Sequence, residues 1–310
     1  MLTRRAVVYS ALEAVYGTDP AMTTSNAFLV WDLNPDFKGD VLDRDILRDT
    51  ISPIPHAMGL QDATLSFKTE LKGVGIGTTG TNPETNLWAG CGFGTAAVVG
   101  TTNVYSLVSA EAAMNSLSFY VFKDGNQHKV TGARGTAKVN MEAGKYGVID
   151  WTFSGKYNAV LANTLPSIAT AGNIPPVIYG ASFQIGGFSP VCSKAEIDIA
   201  NDIARREDVN TAAGVNAFRI TGRKPKLSFN ADAVVESSNP FWGDWSGAVV
   251  DTYSILVGST VGNRVLINGY FQYDSNKYGD DNGISIYECN ASLVTSNAAT
   301  SNQEVTITYQ

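Results

Sequence analysis

Residues 65–73, LSFKTELKG, alternate along their whole length. Leu65, Phe67, Thr69 and Leu71 fall on one face, and Ser66, Lys68, Glu70 and Lys72 on the other. A period of two predicts a half-buried strand. Comparable runs at 116–122 (SLSFYVF), 146–155 (YGVIDWTFSG), 265–273 (VLINGYFQY), 283–289 (GISIYEC) and 304–310 (EVTITYQ) predict further strands. Asp124-Gly125, between SLSFYVF and HKVTG, predicts a tight hairpin turn. At the start, MLTRRAVVYSALEAVYG places Val8, Leu12 and Val15 on one helical face, which predicts a short amphipathic helix. Glu13 ends its apolar stretch after seven residues, and no small-residue cleavage pattern follows, so a signal peptide is not expected.

The pattern repeats. LSFKTELKG at 65–73 meets LSFNADAVV at 227–235, and Asn82-Pro83 with Trp88-x-Gly90 meets Asn239-Pro240 with Trp245-x-Gly247. DRDILR (43–48) resembles NDIARR (201–206), GNQHKVTG (125–132) resembles GNRVLING (262–269), and Gly147-Val-Ile meets Gly283-Ile-Ser. All five matches keep one order, which predicts two copies of a single domain. The expected division is an arm with a short helix (1–30), a first domain (31–168), a linker (169–176, ATAGNIPP) and a second domain (177–310). Within a copy, NPETNLWAGC (82–91) reads as a short helix: Asn82 caps it, Pro83 fits its first turn and Gly90 ends it. Trp88 and Trp245 are then the anchors holding the two helices against their sheets.

Before each Leu-Ser-Phe lies a long segment of mixed charge, 34–60 and 190–216. Each reads as a long loop, and matched long loops point to partner contacts. Asp43, Asp45 and Arg48 in the first, and Asp202, Arg205 and Arg206 in the second, are the candidates.

Composition supports the β reading. Charged residues make up 16% of the 310, below the usual quarter, and there are 30 glycines, which favours strands and turns over solvated helices. The net charge of −7 lacks the basic footprint that grips nucleic acid. Three cysteines (Cys91, Cys192, Cys289), widely separated and without metal-type spacing, read as reduced and packed in a reducing compartment. No run approaches the ~18 apolar residues of a membrane span.

No catalytic, cofactor or metal residues emerge. His56 and His128 lack metal spacing and read as exposed loop residues, and there is no GxSxG elbow. GVGIGTTG (73–80) lacks the Lys-Ser/Thr of a phosphate loop. DSNKYGDDNGIS (274–285) begins like a calcium loop, but Tyr278 stands at a ligand position and Ser285 replaces the closing Glu. Asn290-Ala-Ser292 is a sequon without meaning in a reducing compartment. Trp242 and Trp245 leave an alternative open, a glycan-binding or glycan-cleaving module.

ALEAVYGTDP (11–20), NAFLVWDL (26–33), DRDILRDT, LSFKTELKG and NPETNLWAGCGF, followed by a β-rich remainder, resemble the tail tube (major tail) proteins of long-tailed bacteriophages. The resemblance is most specific over 1–160. It implies a mainly β chain of two tandem β-sandwich domains, each with one short flanking helix and a long charged loop. It implies no enzymatic activity, but rings whose inner strands form a continuous barrel, stacked into a tube that conducts the genome. With two copies per chain, three subunits complete a pseudo-sixfold ring. The implied partners are the chain itself, tape measure, tail terminator and distal tail or baseplate proteins. Double-stranded DNA passes through without specific binding, and nothing inserts into a membrane. The implied location is the virion tail, assembled in the host cytoplasm. Side-chain alternation puts Glu70 and Asp232 on equivalent polar faces, and in such a tube they are the candidates to face the bore.

Overall fold

The computed structural model describes residues 2, 5–73, 83–94, 97–99, 102–168, 174–211 and 213–310. Strand β1 (Ala6–Leu12) comes first, then β2 (Ala27–Phe28), β3 (Trp31–Leu42) and β4 (Ala57–Glu70). A one-turn helix, α1 (Leu87–Gly90), precedes β5 (Ala97–Val99), β6 (Thr102–Ser106), β7 (Leu117–Lys123), β8 (Asn126–Glu142) and β9 (Val148–Tyr157). Short strands β10 (Leu161–Ala162) and β11 (Ser182–Ile185) lead to β12 (Lys194–Asp198), β13 (Asn201–Glu207), β14 (Val215–Arg223) and β15 (Lys226–Asp232). After α2 (Phe241–Ser246) come β16 (Val250–Val257), β17 (Val265–Asp281), β18 (Ile284–Val294) and β19 (Thr306–Tyr309). The chain is mainly β, with two short α-helices among the described residues, as its composition implies.

The predicted strands are present. On β4, Ala63, Leu65, Phe67 and Thr69 are buried while the residues between them are partly exposed. On the neighbouring β9, Ile149, Trp151 and Phe153 are buried in step. Phe67 stacks on Phe153 at 6.0 Å between centroids, and Trp151 donates its indole N–H to Thr69 Oγ1 at 2.9 Å. Asp124 and Gly125 both take positive φ in the β7–β8 turn, the conformation that a two-residue hairpin of matching twist requires. Asn282-Gly283 does the same between β17 and β18, so the calcium-like 274–285 folds as a hairpin.

Strand pairing runs in two series. In the first, β1 pairs with β7, β7 with β8, β8 with β9, β9 with β4 and β4 with β3, all antiparallel. In the second, β11 pairs with β16, β16 with β17, β17 with β18, β18 with β15 and β15 with β12, again all antiparallel. The order of connection is the same. Two ladders join the series into one sheet: β12 lies on β8, and β6 lies on β19, which also pairs with β17.

Several expectations change. The N-terminal segment is strand β1, not a helix. Val7 and Tyr9 pack with Tyr120 and Phe122 in a small cluster, whereas Val8 enters the main core. With both faces covered, the run carries no alternation, and a helical spacing arises by coincidence. The charged segments are not loops throughout. β3 and β4 occupy 34–42 and 57–60 of the first, leaving 43–56 outside strands, and β12 to β14 take most of the second. DRDILR therefore lies outside the strands while NDIARR lies in β13, so those two motifs occupy different settings. His128 sits on β8, stacked on Phe37 at 4.6 Å, and burial lowers its pKa below the usual histidine value, with Lys123 adding to the effect. The first helix starts at Leu87, with Asn86 as its N-cap. Asn82, residues 74–80 of the glycine-rich stretch and 169–173 of the expected linker lie outside the described residues.

Candidate assembly interface

With the chain organised as two sheet series, the surfaces of interest are where the series meet and where their edges are left open. At the meeting, Lys194 to Asp198 of β12 run opposite Glu142 to Lys138 of β8. Lys138 bridges to Glu196 at 2.8 Å, and that hydrogen bond holds its ammonium above the usual lysine value. Ile197 and Val139, register partners, are both buried, so the ladder has an apolar side as well as a charged one.

Next to this ladder, the β13–β14 arm covers α1. Asn201 donates its amide to the carbonyls of Cys91 (2.7 Å) and Gly135 (2.9 Å), and the Tyr16 hydroxyl accepts from the Phe218 N–H at 2.6 Å. A Cβ at Gly92 would lie 3.3 Å from Ile220 Cδ1, and its φ is positive, so glycine allows this close approach. Arg223 donates to the Val108 carbonyl at 2.8 Å and pairs with Glu304 at 3.2 Å. Under this cover Trp88 is fully buried against Trp151, 4.6 Å between centroids.

Among the described residues the second helix has no such cover. Its inward anchor is Phe241, packed against Tyr287 and Tyr273. Trp245 is 44% exposed and donates its indole N–H to the Asp274 carbonyl at 3.0 Å, so it is not the counterpart of Trp88. Trp242 stacks on Tyr278 at 5.3 Å and meets Trp245 edge-on. The result is an aromatic patch at the surface.

The six candidates for partner contacts separate. Asp43, Asp45 and Arg48 are exposed in 43–56, where Arg48 bonds to the Ser52 carbonyl. Asp202 and Arg206 are exposed on β13. Arg205 is occupied within the chain, reaching Asp40 and Asp62 at 3.1 Å and Glu207 at 3.0 Å, which ties the β13–β14 arm to the β3–β4 arm. Glu70 and Asp232 close β4 and β15, and neither is fully buried. Glu70 accepts from Lys72 at 2.9 Å, and Lys72 also lies 3.9 Å from Glu84. Desolvation pushes the Glu84 carboxyl up to about 7, Lys72 opposing and Glu70 adding to it.

Among the described residues no group of three or more His, Cys, Asp and Glu is placed to hold a metal ion, and no helix is long and apolar enough to cross a membrane. A groove of about 420 Å³ between 178–183 and 189–195 is lined by apolar Met141, Phe183 and Ile255 and by polar Ser182, Ser193 and Lys194.

The sequence matches the phage tail tube protein family over residues 3–305. The chain belongs to that family. No curated protein matches the sequence. A tail tube protein is a structural component of the virion tail. In the sequence Trp242 stands only as a glycan candidate and Tyr278 only as a misfit in a calcium-like loop, and no spacing joins them into one patch. Only the unequal burial of the two helices singles them out.

Proposed function

We propose that this chain builds the tail tube by self-assembly, three copies per ring, with rings stacked into a conduit for double-stranded DNA. In this reading each chain carries two copies of one tube module, 31–168 and 177–310, and a trimeric ring has pseudo-sixfold symmetry. The observation that carries it is the identical pairing order of the two strand series, joined where β12, the end strand of one, pairs with 138–142 of β8, beyond the β7 ladder. One sheet built from two like modules has an open edge at each end, and closing such a sheet through neighbours removes edges that would otherwise aggregate.

Stacking is head-to-tail and so propagates as a filament. Asp43, Asp45, Arg48, Asp202 and Arg206, all exposed, are the proposed ring-to-ring contacts, with Arg205 bracing the arms that present them. Glu70 and Asp232 are proposed to face the bore, where like charge keeps the duplex from adhering. Tape measure, tail terminator and distal tail or baseplate proteins are the proposed partners, and assembly takes place in the host cytoplasm. A glycan platform on Trp242 and Trp245 is less well supported, because the two indoles are nearly perpendicular (89°) and offer no common flat face.

Electron microscopy of the purified protein, with mass measurement of isolated rings, tests this. Tubes built from three-chain rings are expected. Six-chain rings, or a chain that stays monomeric at high concentration, would refute it.

A further inference from the structure

The internal ladder between β12 and β8 has two unused counterparts. β4 and β15 share Leu-Ser-Phe, with Leu65 opposite Pro35 on β3 and Leu227 opposite Ile197 on β12. Asn34, Pro35 and Asp36 therefore hold on β3 the places that Glu196, Ile197 and Asp198 hold on β12. On the far side, Ser66 faces Thr152 and Ser228 faces Asn290, which makes Asp150 and Glu288 equivalent. Lys138 lies opposite Asp150, and Lys277 lies opposite Glu288. Lys277, Tyr278 and Gly279 thus hold on β17 the places of Lys138, Val139 and Asn140.

The β8 edge at 138–142 receives β12. The matching edge of β17, beyond its β16 ladder, which ends at Gln272, has no partner strand among the described residues, and β3 pairs only with β4. Burial records the difference: Val139 is 1% exposed, whereas Tyr278 is 66% exposed.

We propose that β3 of one copy adds antiparallel to 274–281 of β17 in a second copy. Asp36 then faces Lys277, Pro35 faces Tyr278 and Asn34 faces Gly279. This repeats, between chains, the register that Asp198, Ile197 and Glu196 keep with Lys138, Val139 and Asn140. The pairing rests on the ring reading above and supplies its subunit contact. Charge is complementary: Asp36, which bridges Lys38 on its own strand at 2.8 Å, would face Lys277 as Asp198 faces Lys138 across the internal ladder. The covering arm is also repeated. Val41, Leu42 and Met58, each about half exposed on the β3–β4 arm, come to lie over α2 and its Trp242–Trp245–Tyr278 patch, as β13–β14 lies over α1. Pro35 lacks an N–H, so this ladder has one bond fewer than the internal one, and the same defect disfavours indiscriminate pairing at the β3 edge. Every chain presents both edges, so the contact is heterologous, and in the ring reading three copies close it.

The test is a disulfide across the contact. In a Cys192→Ser background, Asp36→Cys with Lys277→Cys is assembled into tubes, oxidised and run without reductant. A covalent ladder at multiples of one chain is expected, at least tenfold stronger than from Asp36→Cys with Asp281→Cys, which sits roughly 13 Å out of register. An intrachain link cannot mimic it, because β4, β9, β8, β12, β15 and β18 separate the two sites in the sheet. Independently, Lys277→Asp should abolish assembly and Asp36→Lys in the same chain should restore it. Tubes without the cross-link, or a swap without rescue, would overturn this pairing while leaving the tube reading intact. A wild-type chain that never assembles would overturn both.

Discussion

Trp88 donates its indole N–H to the hydroxyl of Tyr309 at 2.7 Å inside the core, across a separation of 221 residues. The bond ties the helix of the first series to the last strand of the second. Removing either partner strands the other in an apolar site, which costs about 1–3 kcal/mol. Trp88→Phe and Tyr309→Phe are each expected to lower the denaturant midpoint, and the double variant to lose less than the sum. Equilibrium unfolding of the three variants measures the coupling.

Glu13 is a second such point. Its carboxylate accepts from Ser116 Oγ, Ser118 Oγ and the Gly17 N–H at 2.6 Å, and from the Gly132 N–H at 2.7 Å. Glu13→Ala leaves four donors without their acceptor and should cost at least about 3 kcal/mol, with Glu13→Gln falling between it and wild type. Thermal unfolding distinguishes the three.

Glu13 also shows what was legible in the sequence. Seen only as a charge interrupting an apolar run, it marks the end of β1, where four donors converge, three of them more than 100 residues away in sequence. Strands with one buried face, such as β4 and β9, could be read because alternation survives there. β1 could not, since Val7 and Val8 enter different apolar clusters and both faces are covered. The arms were also hidden: on β13 no position is fully buried, so mixed charge obscured the strand. Trp88 and Trp245 look alike in sequence. What separates them is the β13–β14 arm over one helix and not the other, a long-range contact that local spacing does not encode.

Stability should respond to pH through Glu84. Its carboxyl titrates at about 7 in the folded chain, against an ordinary value of 4.5. The folded state therefore holds this proton more tightly, and this contribution to stability falls as pH rises from about 4.5 to about 7, then levels off. The loss is on the order of 2 kcal/mol or more. Glu84→Gln should flatten that part of the profile, measured as unfolding free energy at pH 5, 6, 7 and 8.

The thiols should be slow. Cys91 and Cys289 are buried, and burial holds the Cys289 thiol up to about 12 and the half-buried Cys192 thiol up to about 11. With little thiolate at pH 8, an aromatic disulfide reagent should label at most one cysteine in the native chain, Cys192, and slowly. All three should react in denaturant, and Cys192→Ser should remove the native signal.

The bond between Trp88 and Tyr309 bears on how the molecule is made. Strand β6 waits for β19, which follows it by some two hundred positions, so the first half cannot be sealed until that much more chain has been made. Contacts spanning that much sequence form late and slowly. Translation itself thereby delays the moment at which a subunit becomes competent to join a growing tail.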